Sequence, residues 1–191
     1  MRLSLLILFL AVGVCAGFAQ TNEPPKKSPA EIMAGLRLQA LSSATNSNLR
    51  RTADYPLIRG VLMDWPMDKG TLSVVSFSTG DASVFTTGKF GISGGLGHDN
   101  VRAAAQSFVR AAGRHFNDGH LTKDFPYPKP GRVRFYLICY DGVRVIDADL
   151  EAARDGEGAC SDLYLEGQNV ITQLRLVAEK ANGEKPPGEK P

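Results

Sequence analysis

Little in this 191-residue chain points to a specialised chemistry. It has three cysteines and no C-x-x-C pair, which excludes a thioredoxin-type redox centre and a cysteine-rich zinc site. Three histidines fall at positions 98, 115 and 120; no H-E-x-x-H occurs, and His115 and His120 have no C-x-x-C partner to make a standard zinc pattern. The formal net charge is only +2, so nothing supports general binding to nucleic acid or to an acidic membrane surface. No G-x-G-x-x-G follows a strand, and no Lys-Ser or Lys-Thr follows the glycines, so dinucleotide and P-loop nucleotide cofactors are not indicated. No cofactor and no metal is expected, and no catalytic residue is assigned.

The one long apolar run is at the start. Arg2 supplies a positive charge, Leu5 to Val14 is apolar but short for a bilayer span, and Gly17 and Ala19 are the small residues before a cut after Ala19. Residues 1–19 therefore read as a signal peptide, and the protein as secreted or periplasmic, with no membrane span after cleavage. Cys15 follows Val14, a poor match to a lipidation signal. Residues 20–27 read as a linker, 28–181 as one globular domain, and 182–191, with its repeated Gly-Glu-Lys-Pro, as a disordered tail.

The whole chain is 43% hydrophobic and 22% charged, and its globular part alternates two periodicities. Ser28-Pro29-Ala30-Glu31 forms a capping box and opens a first helix to about Leu41, with Ile32, Met33, Leu36 and Ala40 expected inward. Pro56 to Trp65, Thr71 to Phe77 and Ala82 to Thr87 read as a three-stranded meander. Val101, Ala104, Ala105, Phe108, Val109, Ala112 and Phe116 recur at helical spacing, with Asp99 as expected N-cap. Alternating prolines at 126, 128 and 130 predict an extended surface segment. Asp141-Gly142 reads as a two-residue hairpin tip. Arg132 then faces Glu151, Arg134 faces Asp149 and Tyr136 faces Asp147, on a wet face opposite an apolar one. Residues 151–159 read as a charged loop, and a last helix carries Leu163, Gly167, Val170, Ile171, Leu174 and Val177. The sum is an α+β fold, a single two-layer domain with a mostly antiparallel five-stranded sheet and helices on one face.

The candidate site is the glycine-rich turn 88–98. Free N–H groups at the following helix start can meet a ligand, with Ser93, Gly94, Gly95, Gly97 and His98 as the residues in place. Gly91-Ile92-Ser93-Gly94-Gly95 also matches G-x-S-x-G, the serine-hydrolase elbow. There, however, the helix follows the serine at once, and the histidine comes far downstream of it. Neither holds here. His115, Asp118, His120 and Asp124 crowd together without matching a zinc pattern. Cys139 and Cys160 are an even pair once Cys15 is removed, and in an oxidising compartment a disulfide between them is expected.

The turn with His98-Asp99-Asn100-Val101-Arg102, then Pro130-Gly131-Arg132-Val133-Arg134-Phe135-Tyr136, then Val170-Ile171-Thr172-Gln173-Leu174, resembles a recurring family of uncharacterised bacterial proteins. The likeness spans Gly60 to Leu176 and implies no activity. The element order is similar to profilin-like folds, including roadblock modules, which implies a dimerising or scaffolding unit. The expected function is an exported, non-enzymatic interaction or assembly module with a protein partner or a second copy. The alternative is a small enzyme or ligand binder using the glycine turn.

Overall fold

The computed structural model describes residues 27–42, 50–88 and 91–183. The expected signal peptide, most of the linker, the break after the first helix and most of the tail lie outside them. Among the described residues four helices, α1 (Pro29–Ser42), α2 (Asp99–Arg114), α3 (Leu150–Asp155) and α4 (Ser161–Gly183), accompany seven strands: β1 (Ile58–Met67), β2 (Gly70–Phe77), β3 (Ala82–Thr86), β4 (Gly91–Ser93), β5 (His120–Thr122), β6 (Arg132–Cys139) and β7 (Val143–Asp149). They make one antiparallel sheet in the order β4-β3-β2-β1-β6-β7-β5.

The sheet thus has seven strands, not five. The two extra ones are the edges, β4 and β5, each three residues long. Strands this short carry no readable alternation. They also leave little free edge on which another chain could align.

The helices cover both faces, not one. On the first face Val61, Met63, Val74, Phe135 and Leu137 pack against Phe108 and Val109 of α2 and Leu163, Val170 and Leu174 of α4. Alanines 104, 105, 111 and 112 let α2 lie close to the sheet. At Gly167 of α4 an added Cβ would stand 2.7 Å from the Met63 methyl. On the second face Leu62, Val75, Phe85, Tyr136 and Ile138 pack with Leu41, Met33 and Ala40 of α1 and with Phe125 from the proline-rich segment. The middle strands are therefore buried on both sides, and the fold has three layers.

Three local expectations change as well. The segment expected as a loop from Glu151 begins inside α3, whose N-cap Asp149 accepts from the Ala152 amide at 3.0 Å and whose C-terminus stops at Gly156 with φ 85°. Asp99 is the first residue of α2 rather than its cap. His98 holds the cap position without a side-chain bond. The β6–β7 register is offset by two: Arg132 faces Asp149, Arg134 faces Asp147 and Tyr136 faces Val145. The tip is Tyr140-Asp141, closed by the Cys139 amide donating to Gly142 O at 2.9 Å, with Gly142 at φ 148° just beyond it. The Tyr140 hydroxyl donates to the Arg50 and Tyr55 carbonyls, which draws that residue out of the ladder. A shift of two keeps every side chain on its face.

Candidate functional site

The stretch expected as a glycine turn holds a short strand, β4, before its last glycines. β4 pairs with β3, with Ser93 opposite Ser83. Gly94 takes φ 111°, Gly95–Gly97 make a 3-10 turn, and His98 precedes α2. Ser93, Gly94, Gly95, Gly97 and His98 are thus brought together by chain proximity alone. The neighbouring charges oppose an anion. Asp99 sets an almost fully exposed carboxylate at the helix start, and Arg102 is spent on Asp99 at 2.9 Å and on the Leu96 carbonyl at 2.6 Å. His98 borders a cavity of about 190 Å³ with Val177 and Lys180 of α4.

The hydrolase motif has neither of the two later histidines within reach. Ser93 is on β4 and His120 on β5, the two opposite edges of the sheet. Six strand spacings of about 4.8 Å separate those edges. His115 stands beyond the far end of the 16-residue α2.

The His/Asp cluster divides between the two faces. His115 is buried, with Nδ1 2.8 Å from Asp118 and Nε2 2.8 Å from Asp162, while Arg114 also reaches Asp162 at 2.7 Å. With both ring nitrogens held by carboxylates, neither is open to a substrate. The group ties the end of α2 to the start of α4. Burial raises the Asp162 carboxyl, but Arg114 and His115 outweigh it and hold it below the usual range. His120 and Asp124 instead border a cavity of about 230 Å³ on the second face with Thr122, Arg134, Tyr136 and Asp147. Its cation is engaged: Arg134 pairs with Asp147 and donates to the Pro126 carbonyl at 3.1 Å. Burial pushes the Asp147 carboxyl up, and Arg134 and Arg132 more than reverse this. Among the described residues no group of three or more His, Cys, Asp or Glu is placed to hold a metal ion.

Cys139 and Cys160 are both buried and free. Cys139 ends β6, whereas Cys160 lines a cavity with Ile146 and Ala148 of β7. Ile146 faces Phe135, four residues of strand before Cys139, about 13 Å along the sheet and past the roughly 7 Å reach of a disulfide. The return strand carries the chain away from Cys139 before Cys160 arrives. Burial pushes the Cys139 thiol up to about 11, and it raises that of Cys160 too, with Asp118 and Asp162 adding to it. Neither is a ready nucleophile.

The arrangement that the sequence reading missed centres on Arg37. It is the buried residue of α1 together with Leu41, and its guanidinium meets the fully buried Asp64 of β1. Ser73 also donates to Asp64, the Phe125 carbonyl accepts from Arg37 at 2.9 Å, and the Tyr127 ring lies 4.3 Å away. An aspartate on the inward parity of β1, alternating with Leu62, was the available signal. This pair orients the helix. Ile32 and Leu36, expected inward, face out with exposures of 45% and 38%, and Leu38 is 49% exposed.

No family model, no curated protein and no solved structure matches this chain. Among the described residues no helix is long and apolar enough to cross a membrane.

Proposed function

We propose that the chain is an exported, non-enzymatic interaction or assembly module that pairs with a second copy of itself through the outward side of α1. One observation carries this reading: α1 is locked to the sheet by a buried ion pair while three large apolar side chains point to solvent. A helix free to roll would turn Ile32 and Leu36 inward. Arg37, fixed by Asp64 and Phe125, forbids that roll.

Ile32, Gly35, Leu36 and Gln39 lie at helical steps of three and four along one row. A Cβ at Gly35 would meet nothing within 4 Å, so a second α1 can approach closely there. Two antiparallel copies crossing at Gly35 cover each other's Ile32 and Leu36, an isologous contact. A single helix pair is a small interface, so the expected affinity is micromolar. Export rests on the leader sequence, the small residues Gly17 and Ala19 above all.

Sedimentation equilibrium tests the pairing. The wild-type chain is expected to dimerise reversibly, and Leu36→Asp to sediment as a monomer with an unchanged melting temperature. A wild-type chain that stays monomeric at about 200 µM overturns the reading.

A further inference from the structure

A second surface lies at the opposite margin of the sheet, away from α1. β7 runs to Asp149, but β5 pairs only with Val143, Arg144 and Val145. Among the described residues, the last residues of β7 therefore have β6 on one side and no strand on the other. The ladder's hydrogen bonds fix which groups face out. The Cys139 amide donates to Gly142 O and the Leu150 amide to Gly131 O, so even-numbered residues of β7 turn their main chain toward β6. Asp147 and Asp149 turn theirs outward, and both are exposed. The Asp147 carbonyl is held by the Arg132 guanidinium at 2.8 Å, and the two amides face the side of β7 on which no described strand pairs with them.

Beside this free edge is a groove of about 540 Å³, with Ile146 and Ala148 on β7, Ala152 and Ala153 on α3, and Cys160 at the start of α4. Four of those five side chains are alanine or cysteine, which leaves room for a partner's apolar side chain. The rim is acidic: three aspartates, 118, 147 and 149, line it with one cation, Arg132, which lies 2.8 Å from Asp147 and 3.9 Å from Asp149, while the Asp118 and Asp149 side chains stay 57% and 56% exposed.

We propose that this groove receives a short extended segment of a partner protein, apolar and basic in alternation, which adds as a strand to the free end of β7. The partner's carbonyls accept from the Asp147 and Asp149 amides. Alternate side chains then fall to the alanine-lined floor and to the carboxylates, since strand residues alternate sides. Among the described residues the sheet edges of a second copy, β4 and β5, have three residues each, too short to fill the groove. The small charged rim favours a lysine- or arginine-bearing segment over an acidic one.

Two acetylated, amidated pentapeptides serve as probes, Val-Lys-Val-Lys-Val and Val-Glu-Val-Glu-Val, titrated into the ¹⁵N-labelled full chain. The basic peptide is expected to shift the amide resonances of Asp147, Asp149, Ala152 and Ala153 and to slow hydrogen exchange at the first two. The acidic one is expected to shift none of these. Ala152→Leu, which narrows the groove from a half-buried position, is expected to weaken the basic peptide by about tenfold, and so is raising the salt from about 0.05 to 0.5 M. Leu36→Asp leaves this binding unchanged, so failure here and failure of self-pairing are read separately. Equal binding of the two peptides, shifts centred elsewhere, or no shifts up to about 1 mM peptide overturns the proposal.

Discussion

The Arg37 Nε stands 3.1 and 3.2 Å from the two carboxylate oxygens of Asp64, 27 residues further on, with both side chains buried between α1 and β1. Burial raises the Asp64 carboxyl against the pull of Arg37 and Ser73. Burial also works to lower the Arg37 guanidinium, and there the hydrogen bond and charge of Asp64 prevail and raise it. Each ion is tolerable inside only because the other is there. Arg37→Ala and Asp64→Ala are each expected to cost about 3–5 kcal/mol, because each strands a buried charge. The double variant Arg37→Leu with Asp64→Leu is expected to cost less than either single change. Urea melts rank the three, and a double variant worse than both singles refutes the account.

Leu137 on β6 and Leu121 on β5 contrast burial within one sheet. Leu137 is fully buried against the α2 and α4 layer, and Leu121 is exposed on the edge. Leu137→Ala is expected to cost about 2–5 kcal/mol and Leu121→Ala less than about 0.5. The two denaturation midpoints, measured side by side, check the placement of the edge.

Acid is expected to destabilise the fold through two aspartates. Asp147 and Asp162 both have carboxyls depressed in the folded state by their arginine partners, Asp162 by His115 as well. A depressed carboxyl contributes stability that is complete above its unfolded value, near 4, and is lost as pH falls through the lower folded value. Stability should thus fall between about pH 5 and pH 2, and Asp147→Asn should flatten that slope. Thermal melts across this range, in wild type and variant, measure it. An unchanged slope would show that Asp147 is not coupled to folding.

The two cysteines of the folded part are expected to titrate as two free thiols once a Cys15→Ala chain is unfolded without reductant. In the native state Cys139, buried and with its thiol near 11, should react with a thiol reagent at pH 8 only as fast as the chain opens. A reductant-dependent melting temperature would reveal a bridge that the fold does not place.

Much of the plan was legible from local pattern. The periodicity of Val101, Ala105, Phe108 and Ala112 marks α2, because one helical face is enough to state a period, and the β1–β2–β3 meander shows in its β-rich runs and the Gly80-Asp81 turn between them. The capping box at Ser28 holds as well: the Glu31 amide donates to Ser28 Oγ at 3.2 Å, and the carboxylate accepts from the Ser28 amide at 2.7 Å. The second covered face was signalled by the unbroken apolar run Phe135-Tyr136-Leu137-Ile138-Cys139, since a strand wet on one side would alternate.

What only the tertiary structure decided concerns partners far apart in sequence. A three-residue strand exists by pairing, so β4 and β5 have no period of their own to read. The Tyr140 hydroxyl's bonds to Arg50 and Tyr55 draw it from the ladder, and the β6–β7 register moves by two. α1 is apolar nearly all round, so its sequence permits several orientations. The choice falls to the long-range attraction of Arg37 for Asp64, whose loss inside the fold would cost more than exposing Ile32 and Leu36. Local sequence determined where the helices and the longer strands lie. Which side of α1 meets solvent is set by a buried charge on another element.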